Sequence, residues 1–231
     1  MRDMVVVLCM LSACGDDGGA AAIDAPVAID APACAGGKTV FLNRGGGTFT
    51  PGPNDDASTN TTPVAGNMTR TLAAFPFGDP SWTAVKQCVV QGLAPFNVTV
   101  TDVDPGAARH HEIVVSTRFW DAGNQGVRSI STFTCPSAGL PASGIAFVFA
   151  EAIGDMPGAI CDDAVSQLAS AVAGLDHSRD CKDFLGTFQP ACGMRSFLDR
   201  EIACGEQTDR PCSCGGMTQN SFRGMSAALC Q

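Results

Sequence analysis

The pattern of apolar and polar residues predicts four β-strands before residue 151, one from alternation and three from short apolar runs. In Phe96–Thr101, a phenylalanine and two valines alternate with asparagine and threonines, the pattern of a strand with one buried face. The other three predicted strands are short apolar runs: Thr39–Asn43, Glu112–Thr117 and Gly144–Ala150. After the first strand the chain is rich in Gly, Pro, Asn, Asp and Thr, which predicts a long loop over Arg44–Met68.

Apolar residues spaced three to four apart predict two helices within this pattern. The first begins with Asp79 as its cap and a proline in its first turn, and it ends at Ala94-Pro95. The second covers roughly Cys161–Ala173 and has one continuous apolar stripe. The residues of that stripe are Ala164, Leu168, Ala171, Val172 and Leu175.

The C-terminal end predicts a third helix, which begins at a cap provided by Asn220 or Ser221 and ends at Cys230. The order of elements is therefore strand, helix, three strands, helix, a Cys-rich segment and a final helix. This order predicts a single α/β (α+β) domain over residues 38–231. A length of about 190 residues is typical of one domain, and a hydrophobic content of 45% permits a substantial core.

The N-terminus has the pattern of a secretory signal peptide over residues 1–13. The basic residue Arg2 precedes a short apolar run, and Leu-Ser-Ala-Cys at positions 11–14 fits the lipobox of bacterial lipoproteins. In that class the cysteine is lipidated, so we expect a lipid anchor at Cys14; the alternative is a stray cysteine in an apolar N-terminus. Because the apolar run is far shorter than the ~20 residues of a transmembrane helix, we expect anchoring in the bacterial cell envelope, or else secretion.

Residues 14–37 predict an extended tether that separates the lipidated cysteine from the domain. This tract contains almost only small residues, Asp, Ile and Val, and it repeats Ala-Ile-Asp-Ala-Pro at Ala22–Pro26 and Ala28–Pro32. Such a composition has too few large side chains to build a core. The tether is expected to hold the domain away from the membrane surface.

The charge of the chain argues against nucleic acid as a partner. With 14 Lys and Arg against 23 Asp and Glu, the formal net charge is −9. The chain also has no cluster of basic residues that would follow a phosphate backbone. The expected partners are instead the membrane, through the lipid, and a peptide or protein ligand.

Cysteine usage predicts a disulfide-rich, exported protein. Of 12 cysteines, Cys9 leaves with the signal peptide and Cys14 would carry the lipid. The remaining disulfide candidates are Cys34, Cys88, Cys135, Cys161, Cys181, Cys192, Cys204, Cys212, Cys214 and Cys230. An even number in an exported chain favours disulfides, although the sequence leaves their pairing open. A metal site at Cys212-Ser-Cys214 is the weaker alternative, because no histidine or Cys-x-x-Cys pair accompanies it.

The end of the second predicted helix resembles the zinc signature of the metzincin metallopeptidases, H-E-x-x-H-x-x-G-x-x-H. In that signature two histidines one turn apart bind zinc, a glutamate is the general base, and a glycine turns the chain so that a third histidine reaches the metal. The stretch 167–177, Gln-Leu-Ala-Ser-Ala-Val-Ala-Gly-Leu-Asp-His, has the glycine at Gly174 and the third histidine at His177.

Three other positions of the signature have lost their chemistry. The first ligand position holds Gln167, the general-base position Leu168 and the second ligand position Ala171. The segment from Cys181 resembles the turn that carries the metzincin methionine, and Leu185 stands in that methionine's place. The resemblance therefore implies a metzincin-like mixed sheet with an N-terminal helix and an active-site-type helix, but no catalytic residues. No zinc or other cofactor is expected, and His177 is the residual ligand candidate.

Other polar residues offer little support for catalysis. His110 and His111 are adjacent at the start of a predicted strand, where neighbouring side chains point to opposite faces, and they are interpreted as exposed loop histidines. His177 is interpreted as a capping or surface histidine. The pair Asp162 and Asp163 is expected at a helix start, where the helix dipole favours carboxylates.

Three functions remain compatible with the sequence. The first is a non-catalytic pseudo-metallopeptidase that binds a peptide or protein in a substrate-type cleft. The second is a zinc-dependent metallopeptidase with a divergent ligand set that includes His177. The third is a structural envelope lipoprotein. The losses at Gln167, Leu168 and Ala171 weigh against the second, whereas an apolar cleft beside an exposed edge strand would favour the first over the third.

Overall fold

Ten strands and four α-helices make up the regular structure of the described part of the chain, which in this computed structural model comprises residues 38–139, 141–187 and 192–229. The strands are β1 Thr39–Asn43, β2 Gly47–Pro51, β3 Thr61–Thr62, β4 Arg70–Leu72, β5 Thr99–Thr101, β6 His111–Ser116, β7 Ser129–Ser131, β8 Ile145–Phe149, β9 Ile202–Ala203 and β10 Thr218–Gln219. The helices are α1 Asp79–Leu93, α2 Ala150–Ile153, α3 Pro157–Ala173 and α4 Ser221–Leu229. The predicted α/β class is confirmed.

The central element is a five-stranded sheet in the order β5-β1-β6-β8-β7. Its first four strands are parallel to one another, and β7 pairs with β8 in the antiparallel direction. The inner strands are apolar on both faces, as expected where both faces of a parallel sheet are covered. Strand β8 is wholly buried, and its neighbour β7 forms one edge of the sheet.

One face of the main sheet packs against α1, α3 and α4. The side chains of alternate strand residues, such as Val40, Ile113 and Val148, form a single cluster with the apolar stripes of these helices. The predicted stripe on α3 is confirmed, because Leu168 and Ala171 are 0% exposed. This helix is therefore fixed along its length by the core.

The opposite face is covered by a small sheet in the order β3-β2-β4. Phe49 and Leu72 from this sheet pack on Phe147 and Phe149 of β8. The prediction of a long loop over Arg44–Met68 is therefore wrong. Its strands are short, and β2 has a single buried residue, Phe49, so no alternating pattern marks them in the sequence.

The helix ends differ from their predicted positions by up to one turn. The cap of α1 is Gly78 rather than Asp79, which lies inside the helix. Helix α3 begins at Pro157, one turn before the expected Cys161. The cap of α4 is confirmed, since the side-chain oxygen of Asn220 accepts a hydrogen bond from the backbone of Arg223 at 2.9 Å.

Among the described residues, four disulfides join eight of the predicted cysteines. The pairs are Cys88–Cys161, Cys135–Cys214, Cys181–Cys192 and Cys204–Cys212. The first links α1 to α3, and the others hold the loop-rich segment that follows α3, which fits a chain that folds in an oxidising, extracytoplasmic compartment. The signal peptide, Cys14, the tether, Cys34 and Cys230 lie outside the described residues. Within them, no helix is both long and apolar enough to cross a membrane.

Candidate functional site

A pocket of about 200 Å³ lies where α3, the edge strand β7 and the Cys-rich segment meet. It unites residues that are far apart in sequence but whose elements pack together. Its lining residues are Arg128, Ser129, Asp162, Asp163, Ser166, Gln167, His177, Phe184, Gly186, Thr187, Arg195 and Glu206. Gln167 and His177, two of the positions singled out in the sequence, therefore share one pocket.

Gln167 is tied to the edge strand by its side chain. Its Oε1 atom accepts a hydrogen bond of 2.9 Å from the hydroxyl of Ser131 in β7. The side chain is half-buried, and this bond fixes its direction, so its amide NH₂ group remains as a donor facing the pocket region. Helix α3 and strand β7 thus form two connected walls.

Gly174 turns the chain out of α3. It has φ +60° and ψ 33°, and its backbone N–H bonds back to the carbonyls of Ala169 and Ser170. A Cβ atom at this position would lie 2.4 Å from the carbonyl oxygen of Thr134, so only glycine fits. Because of this turn the exposed His177 returns to the pocket that Gln167 lines.

Asp176 locks the segment that follows the turn. Its carboxylate accepts two hydrogen bonds from the Arg210 guanidinium, at 2.6 and 2.8 Å, and two from the amide and hydroxyl of Ser213, at 2.8 and 2.7 Å. Burial alone would raise the pKa of Asp176, but these donors hold it well below its ordinary value. The carboxylate is therefore ionised at neutral pH and holds the Cys-rich loop against the end of α3.

Three of the other singled-out residues belong to the core. Leu168 and Ala171 are 0% exposed and Leu185 is 1% exposed, and all three pack in the helix-side cluster. None of the three lines the pocket. The side chains that do line it next to Gln167 are charged or polar, so its chemistry differs from that of the apolar helix face below it.

Two ion pairs form the charged walls of the pocket. Asp163 pairs with Arg128 at 3.1 Å, and Asp162 pairs with Arg195 at 3.5 Å. Burial raises the pKa of both carboxyls, while the arginines oppose this shift. The prediction that these aspartates mark the start of α3 is wrong, since the helix begins at Pro157 and they stabilise the pocket instead.

Strand β7 presents an open backbone edge beside the pocket. The backbone N–H of Phe149 donates to the carbonyl of Arg128 at 2.7 Å, so these two residues form a hydrogen-bonded pair. In antiparallel strands such pairs alternate with pairs that do not bond to each other. Ser129 lies opposite Val148 and Ser131 lies opposite Ala146, so both serines belong to pairs that do not bond to each other. Their backbone N–H and C=O groups therefore point away from β8. Among the described residues, no backbone hydrogen bond from outside the sheet reaches either serine.

The interpretation of His110 and His111 as exposed loop residues is wrong, because they are only 3% and 2% exposed. The ring of His111 accepts a hydrogen bond of 3.0 Å from the backbone of Gly144, and burial lowers its pKa to about 4. A neutral ring is what this buried contact requires. The loop before β6 folds back on the sheet, which a local sequence pattern does not reveal.

The weaker alternative for Cys212 and Cys214, a metal site, is also excluded by the disulfides. Cys212 pairs with Cys204 and Cys214 pairs with Cys135. In the part of the chain that the structure describes, no group of three or more His, Cys, Asp or Glu side chains is arranged to hold a metal ion.

The sequence did not identify Ser131, Arg128 and Arg195 as residues of the site. The only local sign of β7 is the short alternation Ser-Ile-Ser, which is too brief to predict a strand. The arginines reach the pocket only through ion pairs across the fold. Comparisons of the chain with protein-family models, with curated proteins and with solved structures find no match in any of the three.

Proposed function

We propose that this chain is a lipid-anchored envelope protein whose domain is a metzincin-like pseudo-metallopeptidase that binds an extended peptide segment. The binding site is the open edge of β7 together with the adjoining pocket. The observation that carries the proposal is the outward-facing backbone of Ser129 and Ser131 beside a pocket formed by α3. Addition of a strand to such an edge is a general mode of peptide recognition.

The family relation is supported by three features that the zinc signature requires together. Among the described residues, strands β1 to β4 precede helix α1, strands β5 to β8 follow it, and α2, α3, the Cys-rich segment and the final helix α4 complete the order. Gly174 makes a left-handed turn at the end of α3. After that turn His177 shares a pocket with Gln167, which occupies the first ligand position.

The donor set does not fit zinc. A catalytic zinc site needs three protein ligands, and of the three metzincin ligand positions only His177 has an imidazole. Gln167 offers a neutral amide whose oxygen already accepts from Ser131, and Ala171 offers no donor. Leu168, in the general-base position, has no group that can accept a proton. The pocket therefore lacks the groups that a zinc-dependent catalytic step requires.

The pocket favours a peptide with a polar side chain opposite α3. The carboxylates of Asp162 and Asp163 and the hydroxyl of Ser166 line it with Gln167, while Phe184 supplies an apolar wall. At about 200 Å³, it has room for one side chain of moderate size. Backbone hydrogen bonds to β7 would provide affinity, and this pocket would provide selectivity for one position of the peptide.

Replacing Ser129 by proline is expected to weaken peptide binding about five- to tenfold. Proline removes an N–H group that points to the open edge, so the β7–β8 hydrogen bonds remain, and edge strands tolerate proline at such positions. Loss of one main-chain hydrogen bond, together with crowding of the bound peptide by the proline ring, corresponds to ~1–1.5 kcal/mol of binding free energy. Binding should be measured with the purified full chain on an array of random decapeptides and then by titration with the strongest decapeptide.

Ser129→Ala is the matched control, because it removes the hydroxyl but keeps the N–H group, and it should bind within about twofold of the wild type. Thermal unfolding of both variants checks that the fold is retained. If no decapeptide binds, or if Ser129→Pro binds as well as Ser129→Ala, the proposal is wrong and a structural role is favoured. Chelator-sensitive cleavage of array peptides would instead support the metallopeptidase alternative.

Replacing Cys14 by alanine is expected to release the protein from the membrane fraction. The Leu-Ser-Ala-Cys sequence at 11–14 fits the lipobox, and removal of its cysteine removes the acylated residue. Fractionation of bacteria that express each variant measures this directly. Cys9→Ala is the control, since Cys9 lies in the apolar run and should leave the anchor unchanged. Equal membrane association of both variants would contradict lipidation at Cys14.

A further inference from the structure

A second pocket, of about 180 Å³, lies on the opposite face of the main sheet from α3. It is bounded by residues of β1 and β6, by the segment between β2 and β3, and by the loop before β6. Glu112, Asp104, His110 and Phe41 line it, and it shares no lining residue with the pocket beside β7. A polar cavity of this size on the far side of the sheet is not explained by peptide binding at β7.

The floor of this pocket contains a carboxylate with one unused oxygen. Glu112 is 1% exposed, and its Oε1 accepts a hydrogen bond of 2.8 Å from the side chain of Asn43. Its Oε2 is buried and has no hydrogen-bond partner among the described residues. Leaving a buried acceptor unpaired is costly, so such an atom in a folded protein calls for an explanation.

The surrounding residues fix the position of the Glu112 carboxylate but donate no hydrogen bond to its Oε2 atom. The Asn43 amide also donates to the carbonyl of Gly46 at 2.8 Å, and its oxygen accepts from the backbone of Gly45 at 2.7 Å. These two hydrogen bonds fix the orientation of the Asn43 amide, so it does not rotate towards Glu112 Oε2. Burial raises the pKa of Glu112 to about 7, with the Asn43 hydrogen bond opposing the shift and Asp104 adding to it.

We propose that this pocket binds a primary ammonium group, with Glu112 Oε2 as its principal acceptor. Two further acceptors line the pocket. One is the carboxylate of Asp104, and the other is the ring of His110, whose Nδ1 donates to the carbonyl of Ala108 at 2.7 Å and so leaves Nε2 as an acceptor. Three acceptors match the three N–H donors of an ammonium group.

The geometry favours ammonium over the other common cations. A guanidinium binds carboxylates best as a two-pronged fork, but Glu112 has only one oxygen available because Asn43 occupies the other. Calcium takes six to eight oxygen ligands, whereas the titratable groups of this pocket are two carboxylates and one imidazole. The ring of Phe41 adds an apolar wall on which the alkyl stem of an amine can pack, and its face attracts a cation.

Binding should strengthen as the pH rises. Only the ionised form of Glu112 pairs with ammonium, and a pKa of about 7 in the free protein means that this form becomes dominant between pH 6 and pH 8. The ionised fraction, and hence the affinity, should rise about tenfold over this range. The other titratable groups that line the pocket are Asp104 and His110.

The test is calorimetric titration of the purified full chain at pH 6 and pH 8 with two amines. One amine is Nα-acetyl-lysine N-methylamide, which represents a lysyl side chain of a partner. The other is 1,5-diaminopentane, which represents a free diamine. We expect a Kd below about 1 mM for at least one at pH 8, a weaker Kd at pH 6, and release of protons at pH 7. The tighter of the two identifies the source of the ammonium group.

Glu112→Gln is expected to lose at least tenfold in affinity and to lose the pH dependence. The amide has nearly the same shape and removes a buried charge, so the variant should fold. Asp104→Asn, at an exposed residue, should weaken binding two- to fivefold. Asp183→Asn is the matched control, because Asp183 is another buried carboxyl whose pKa is raised by burial, to about 6, but it lies outside this pocket.

Four results would overturn the proposal. They are no binding of either amine at millimolar concentration, equal binding by Glu112→Gln, tighter binding of Nα-acetyl-arginine N-methylamide, titrated in the same way, than of the lysine derivative, and tight binding of calcium ions, added as calcium chloride, that excludes the amines. Because the proposal does not depend on peptide binding at β7, Ser129→Pro should bind the amines as the wild type does.

Discussion

Replacing both Cys88 and Cys161 by alanine is expected to lower the free energy of unfolding by about 4 kcal/mol. This disulfide joins α1 to α3 across a sequence separation of 73 residues. In the chain-entropy description, a cross-link that closes a loop of this length restricts the unfolded chain by about 4 kcal/mol at 25 °C. Cys161 is also 0% exposed, so its loss leaves a small void against the core. Urea unfolding of the oxidised protein measures the change.

The disulfide between Cys204 and Cys212 provides the matched comparison. It closes a separation of only 8 residues, for which the same relation gives about 2.5 kcal/mol. It also lies in the Cys-rich segment rather than between two core helices. The alanine double variant at these positions should therefore lose less stability than the variant without Cys88 and Cys161. An equal or larger loss would show that loop length and the α1–α3 link do not control stability here.

The elements that bury a long apolar run or stripe could be predicted from the sequence. Strand β1 has the predicted bounds, β6 is displaced by one residue, β8 is one residue shorter at each end, and α3 extends one turn further towards its N-terminus. In each case the periodicity of apolar residues is itself the cause of the structure, because those residues form the core. The stripe from Ala164 to Leu175 is an example, since all of its residues are buried.

The small sheet and β7 could not be predicted, because their strands are held by distant partners rather than by a local pattern. Strand β3 has two residues and β7 has three. Their sequences contain mostly Thr and Ser, which are equally common in loops. Pairing with β2 or β8 decides their structure, and that pairing depends on the folded positions of those strands.

The residues of the candidate site, likewise, could be predicted only where their positions depend on the local sequence and not on contacts between distant elements. The turn at Gly174 and the return of His177 follow from the spacing of residues along one helix end. The ion pairs of Arg128 and Arg195, and the hydrogen bond from Ser131 to Gln167, join elements separated by more than thirty residues. Likewise, cysteine usage predicts a disulfide-rich chain, but the pairing depends on which cysteines the fold brings together.

If the metzincin-like relation holds, replacing Gln167 and Ala171 by histidine is expected to create a zinc site with His177, although Ala171 itself packs in the core and does not line the pocket. Positions 167 and 171 are one turn apart on the same side of α3, and His177 already lies in the pocket that residue 167 lines. Three imidazoles are a sufficient ligand set for zinc. After dialysis, we expect about one equivalent of zinc in the double variant and only a trace in the wild type, as measured by elemental analysis.

Leu168 should stay unchanged in this experiment. It is 0% exposed in the core, so a glutamate there would place a carboxylate among apolar side chains, at a cost of several kcal/mol. Zinc binding tests the ligand geometry alone and needs no general base. A histidine at position 171 also enters a fully buried position, and the overpacking should cost about 1–3 kcal/mol without metal, which bound zinc should restore in thermal unfolding.

The control is the triple variant in which His177 is also replaced by alanine. It keeps both new histidines and their packing strain but lacks the third ligand, so it should fold like the metal-free double variant and should bind zinc far more weakly. If the double variant folds and takes up no zinc, residues 167, 171 and 177 do not converge as the zinc signature requires. The metzincin-like relation would then be wrong, and peptide binding would have to be explained by the open edge of β7 alone. If the wild type itself retains one equivalent, other residues bind zinc and the metallopeptidase alternative is favoured.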